Sequence, residues 1–229
     1  MTAAGLNARA AGVAISVLVL AVVAVTPASA QSAAGRGSRL EVSAGGVLVG
    51  GYEFGEKVAE LTPNSGSSGF DLFTTESEVR QAFGGVARIG FLVTPNFVIE
   101  GGLRFTRPVY ELRASGDAEE APDTTIEETL SQYVFDGSVV WNFGGAGRRF
   151  VPFVYGGAGY LRELHEEDAL VEEGVEYHAG AGLKWWFGQG SRRFGARGDV
   201  GISVRDGGFD FDEGTRLVPV VSGSLVFAF

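Results

Sequence analysis

Eight charged residues stand inside otherwise apolar segments: Glu41, Glu100, Asp136 and Asp199 against Arg88, Arg104, Lys184 and Arg197. Four acids and four bases in a confined space pair as a network, because a desolvated charge left alone carries a heavy penalty. An ion path would need one dominant sign or a continuous water column. The two histidines are the other reactive candidates. His165 lies in an acidic run with Glu163, Glu166, Glu167 and Asp168 and reads as solvated, whereas His178 shares a face with Glu176. A lipid-cleaving enzyme would need a histidine within reach of a serine and an acid. No His-x-Ser spacing occurs, and His178 is followed by Ala179-Gly180. Asp210-Phe211-Asp212-Glu213-Gly214 lacks the spacing of a calcium loop. The absence of Cys removes disulfide and thiol chemistry. A pI near 4.7 with no basic stripe argues against nucleic acid. The expectation is a polar network with no catalytic residue, metal or cofactor.

These residues sit in eight runs of alternating apolar and polar character, near 39–55, 78–93, 97–113, 129–143, 150–162, 175–187, 194–205 and 215–229. Period-two alternation gives a strand two unlike faces. One face carries Val42, Leu48, Phe83, Ile89, Phe91, Leu103, Phe105, Phe135, Val139, Trp141, Val200, Ile202, Val204 and Leu225. The other carries the eight charges with Asn142 and Ser203. Apolar residues outside and charges inside reverse the pattern of a soluble barrel. The connections alternate: long ones near 56–77, 114–128, 163–174 and 206–214, short ones at 94–96, 144–149 and 188–193. The long ones hold 20 of the 28 acidic residues and read as solvated loops.

Two short turns repeat the pattern W-x-F-G-x-x-x-R-R-F, from Trp141 to Phe150 and from Trp185 to Phe194. Trp141, Phe143, Trp185 and Phe187 therefore form one aromatic girdle, and Tyr52, Tyr110, Tyr133, Tyr160 and Tyr177 cluster by the long loops as a second. At the N-terminus, Arg9 precedes an apolar run to Val25, and Ala28-Ser29-Ala30 gives a cleavage pattern before Gln31. Residues 1–30 read as a signal peptide, 31–38 as a short N-terminal segment and 39–229 as the barrel domain. The last strand alternates through Gly223, Leu225 and Phe227 and stops on Phe229.

That ending, the eight runs and Gly-rich stretches such as Gly156 to Tyr160 and Ala179 to Leu183 carry a resemblance. The chain resembles the small eight-stranded outer-membrane barrels of the OmpA/OmpX-like superfamily. The resemblance implies an all-β, antiparallel, up-and-down barrel in the outer membrane of a Gram-negative-type bacterium. It implies Gly223, Leu225, Phe227 and Phe229 as an assembly signal read by barrel-assembly machinery, and periplasmic chaperones, lipid and lipopolysaccharide as partners. With nothing following Phe229, no peptidoglycan-binding domain is expected. The expected role is structural or surface interaction. The alternatives are a narrow channel for small or hydrophobic solutes and, behind it, a lipid-modifying enzyme.

Overall fold

The structure, a computed structural model, describes residues 39–61, 70–116, 122–144, 148–165, 171–187, 194–207 and 215–229. Residues 1–38, the central parts of both repeated turns and the Asp210–Gly214 stretch lie outside them. Twelve strands run in chain order: β1 Leu40–Val49, β2 Tyr52–Leu61, β3 Phe70–Val79, β4 Ala82–Leu92, β5 Phe97–Thr106, β6 Val109–Ser115, β7 Thr124–Thr129, β8 Ser131–Asn142, β9 Phe150–Leu164, β10 Val171–Trp186, β11 Phe194–Gly207 and β12 Arg216–Ala228. Eight of them close an antiparallel barrel in the order β1-β12-β11-β10-β9-β8-β5-β4. The wall closes between the chain ends, where Glu41 to Val49 pair with Ala228 to Val220. The Phe229 N–H also donates to the Leu40 carbonyl at 2.8 Å.

Side chains alternate strictly across this wall. On β12, Arg216, Val218, Val220, Ser222, Ser224, Val226 and Ala228 are buried, and every residue between them is exposed. The exterior is an apolar band, with Phe83 74%, Val200 58% and Leu225 58% exposed. An apolar outside around a charged inside is the wall of a barrel that crosses a bilayer.

The remaining four strands form a second sheet, β2-β3-β6-β7, continuing the staves β1, β4, β5 and β8 beyond one rim. The first two expected loops are therefore largely strand. Their outer face is rich in glutamate, which makes a solvated strand look like a loop. Glu53, Glu78, Glu111 and Glu127 stand in one cross-strand row. Arg80 bridges three of them, reaching Glu78 at 3.5 Å, Glu127 at 3.3 Å and Glu111. Like charges directly opposite oppose strand pairing, so the shared guanidinium holds this row together.

Crossing the rim changes which side chains face inward. Between the pairs Val49↔Ala82 and Tyr52↔Val79, two residues on each strand are unpaired. The neighbouring stave keeps its alternation through Thr106, Pro108 and Tyr110. Against that stave, β4 and β3 take five steps from Gly84 to Val79 where β5 and β6 take four from Thr106 to Tyr110. The extra residue at Arg80-Gln81 acts as a β-bulge, and Gly50-Gly51 makes the matching shift between β1 and β2. Tyr52 and Phe54 consequently join Tyr110, which the unbroken stave already turns inward, in packing on Val79 and Leu130, with edge-on rings at 5.4 and 6.0 Å. Tyr52 and Tyr110 thus leave the expected outer belt, while Tyr160 and Tyr177 are exposed on the barrel strands. At the same rim β2 parts from β12. The Gly50 N–H donates to the Pro219 carbonyl at 2.8 Å, and Pro219 has no N–H to return. The gap is a cleft of about 840 Å³ lined by residues including Tyr52, Phe54, Val79, Arg80, Arg216 and Leu217.

Candidate functional site

The interior charges form two groups, each assembled from several strands. In the first, Lys184 of β10 donates to Glu41 of β1 at 2.5 Å, and Arg197 of β11 donates to Glu100 of β5 at 2.5 Å. Arg197 Nε also reaches Asp199 at 3.2 Å. Arg88 of β4 lies 3.6 Å from Glu100 and 3.2 Å from Asp199, and donates to Ser222 Oγ at 3.1 Å. Ser222 in turn donates to Asp199 at 2.9 Å. The Arg197 guanidinium lies 4.6 Å from the Phe153 ring centroid, so its apolar face is also covered.

The second group centres on Glu176 of β10, which is fully buried. It accepts from Arg104 on both oxygens at 2.5 Å, from Arg205 at 3.0 Å and from Ser203 at 2.9 Å. Arg205 also donates to Gln132 at 3.1 Å, and Gln132 donates to Glu163. Sequence reasoning misses Glu176, Arg205, Gln132 and Glu163 as members of the network. Arg205 continues the parity of Arg197, Asp199 and Ser203, and Glu176 that of Lys184 and His178, so the signal is present. Glu163 and Glu172, expected in an acidic loop, lie instead on β9 and β10, only 1% and 6% exposed. Above this group the Arg216 guanidinium sits 4.7 Å from the Phe54 ring. Burial pushes the Tyr52 phenol well above its usual range, with the Glu163 carboxylate adding to the shift.

Between the groups lies the constellation for which no linear motif exists. Ser138 Oγ on β8 is 2.8 Å from His178 Nε2 on β10. Asp136 Oδ1 is 3.9 Å from that nitrogen, and Glu176 Oε1 is 3.9 Å from His178 Nδ1. Asp136 therefore sits with Ser138 and His178 rather than in a close arginine pair. Glycines make the room: a Cβ on Gly102 would stand 2.5 Å from Asp136 Oδ2, and one on Gly157 2.8 Å from His178 Nε2. Serine, histidine and acid are thus brought together, but Glu176 is engaged by two arginines. The adjoining cavity is about 30 Å³, enough for roughly one water and far too small for an acyl substrate. His165 is not solvated either: its side chain is 15% exposed and Nδ1 lies 2.7 Å from Glu128 Oε1.

Apolar side chains share the interior with the charges. Val98, Val140 and Phe153 form one cluster, Val151, Trp186, Val226 and Ala228 another, and Val47, Val49, Val86, Val218 and Val220 a third. An eight-stranded barrel is just wide enough to be filled by side chains, and this one is filled by both kinds.

At the rim opposite the second sheet, Trp141 and Phe143 are exposed on the outer wall. Trp185 stacks on Phe150 at 5.8 Å and meets Phe187 edge-on at 5.0 Å. The Arg149 guanidinium lies 5.7 Å from the Trp185 ring. Gly223, Leu225, Phe227 and Phe229 all face outward on the closing strand, with the last two rings 4.8 Å apart.

No family model matches the chain, and no curated protein matches it. Solved structures do. The outer-membrane protein OprG from Pseudomonas aeruginosa is similar over 85% of this chain and 97% of its own, at 10% identity and a TM-score of 0.52. The N-terminal β-barrel domain of OprF from the same organism is similar over 85% and 100%, at 14% identity and 0.43. Ail of Yersinia pestis, in complex with the heparin analogue sucrose octasulfate, is similar over 85% and 100%, at 12% identity and 0.46. At such identities the likeness is one of fold: this chain is a small eight-stranded antiparallel barrel of the kind found in outer-membrane proteins.

Proposed function

We propose that this protein is an integral outer-membrane barrel with a plugged lumen, working through its outer wall and its protruding sheet in a structural or surface-interaction role. The observation that carries this reading is the pairing inside: Glu41, Glu100, Glu176 and Asp199 are each engaged by a lysine or arginine across the barrel. Residues 1–30 would direct export, Gly223, Leu225, Phe227 and Phe229 would serve assembly, and Trp141, Phe143, Trp185 and Phe187 would seat the wall among lipids. Lipopolysaccharide, periplasmic chaperones and the assembly machinery would be the partners of those surfaces. The sheet is then the part raised beyond the bilayer, and its glutamate row favours a partner bearing positive charge. Nothing in this reading calls on a cofactor or assigns catalysis. Liposomes holding the refolded protein should not swell in small sugars; swelling at porin-like rates would overturn the plugged lumen.

A second reading has one observation in its favour, the cleft between β2 and β12. It runs from the exposed Leu217 to Tyr52 and Phe54, so a hydrophobic solute would enter from the side rather than along the axis. Joining its walls through Tyr52→Cys and Leu217→Cys should abolish uptake of such a solute by cells. Uptake that survives the crosslink would eliminate this route.

A further inference from the structure

The two ends of the barrel differ in sign. The long connections hold 20 of the 28 acidic residues, whereas the three short turns hold four arginines, Arg148, Arg149, Arg192 and Arg193, and no acid. At the acidic end the exposed Arg80 and Arg113 are paired with carboxylates, Arg113 with Asp123 at 3.0 Å. At the short-turn rim Arg39, Arg148 and Arg149 are exposed, and among the described residues no carboxylate pairs with them. The α-carboxylate of Phe229 is a single negative charge, so the balance stays positive with it counted.

Backbone bonds fix where these charges stand. The Trp186 N–H donates to the Arg149 carbonyl at 2.9 Å, and on the other side of the rim the Leu92 N–H donates to the Arg39 carbonyl at 2.7 Å. Arg148 folds over Gly144, where φ is 98° and a Cβ would stand 2.8 Å from the Arg148 Cδ. The Arg149 guanidinium lies 5.7 Å from the Trp185 ring centroid and 6.0 Å from that of Phe150. These two rings stack on each other and are exposed on the outer wall. The guanidinium is thus held against the lipid-facing surface, at the level where acyl chains meet headgroups. Its planar fork matches phosphate oxygens, and its stem lies along apolar surface. A zwitterionic headgroup brings its own cation to such a rim, whereas a net-negative one does not. We propose that the short-turn rim is a docking surface for anionic phospholipid, with Arg148 and Arg149 on headgroup phosphate and Trp185 and Phe150 on the upper chains. This rests on the wall lying in a bilayer and adds which lipid it gathers and at which end, since the acidic end repels the same headgroup.

The chain's three tryptophans all report on this rim: Trp141 and Trp185 are exposed on the wall, and Trp186 is buried beside them. Their quenching is measured on the full protein refolded into mixed phosphatidylcholine and phosphatidylglycerol vesicles, with bromine on the chains of one lipid at a time. Brominated phosphatidylglycerol should quench beyond its mole fraction, with a relative affinity of about fivefold at low salt. The preference should fade near about 1 M salt, where the Debye length is about 3 Å. R148Q/R149Q, shown to be folded by its gel mobility, should lose much of the preference, and R148K/R149K should keep it. Equal quenching by the two lipids at every salt, or a preference unchanged in R148Q/R149Q, would overturn the proposal while leaving the wall in the bilayer. Quenching by neither lipid would overturn the membrane reading and the proposal with it. Inorganic phosphate that abolishes the preference at matched ionic strength would also overturn it, because the rim would then take free phosphate rather than a lipid surface.

Discussion

Glu176→Ala removes the carboxylate on which the second interior group is built. Arg104 loses both of its contacts at 2.5 Å, Arg205 loses the one at 3.0 Å, and Ser203 loses its acceptor. Two guanidinium groups are then left buried, with Gln132 still bonded to Arg205. Breaking a buried pair by deleting one partner costs about 3–5 kcal/mol. Two cations are stranded here, so the upper part of that range applies, about 4–5 kcal/mol. That is roughly a thousandfold in the folding equilibrium, at about 1.4 kcal/mol per factor of ten. The assay is urea unfolding of protein refolded into lipid vesicles, followed by the gel-mobility difference between folded and heat-denatured barrel. Glu173→Ala, at an exposed position three residues before it on β10, should change stability by no more than about 0.5 kcal/mol. Replacing Arg104, Glu176 and Arg205 together by Met, Leu and Met should recover much of the loss, since a filled apolar core no longer contains uncompensated charge. A Glu176→Ala protein within about 1 kcal/mol of the original would mean that these charges are hydrated and the interior is wet.

Other outcomes come from the same geometry. Ile202→Arg puts a charge on the outer wall and should cost about 2–4 kcal/mol near the midplane. Lipid-borne quenchers should reach a label at position 202 and not at 203, where Ser203 is buried. Because the folded state holds the Tyr52 phenol protonated above its usual range, the unfolded chain releases that proton first as pH rises. Stability should therefore fall above about pH 10, by roughly 1.4 kcal/mol per pH unit for this group. Tyr52→Phe should remove that share of the slope in unfolding curves taken between about pH 9 and 11. Deleting Phe229 should lower the amount of heat-modifiable barrel in the outer membrane, and undiminished levels would show that the closing residue is not an assembly signal.

The barrel itself is legible in the chain because alternation is a local property: parity along a strand separates Arg197 and Asp199 from Val200 and Ile202 with no knowledge of neighbours. Pairing is not local. Nothing near His178 announces Ser138, which reaches it from a strand 40 residues away. Glu163 and Glu172 look like loop acids because the groups that face them, Gln132 and Arg205 among them, lie on other strands. The second sheet is hidden for a different reason. Its outer face carries glutamates where a barrel strand carries Leu or Phe, so hydropathy falls at the rim although the backbone continues. Tyr52 is misplaced by a change of parity at Gly50-Gly51, matched across the pair by Arg80-Gln81, a feature of backbone pairing that side-chain types there do not reveal. The parting of β2 from β12 does have a residue behind it, Pro219, but its effect depends on which strand lies alongside.

The most direct test of the plugged lumen is single-channel recording from the refolded, unmodified protein in a planar bilayer. The paired charges and the three apolar clusters fill the axis, so the bilayer should remain electrically silent, apart from brief, small events at high voltage. Large, stable, porin-like steps from properly folded protein would contradict the account, because no arrangement of these side chains along the wall described here leaves a water column wide enough to carry them.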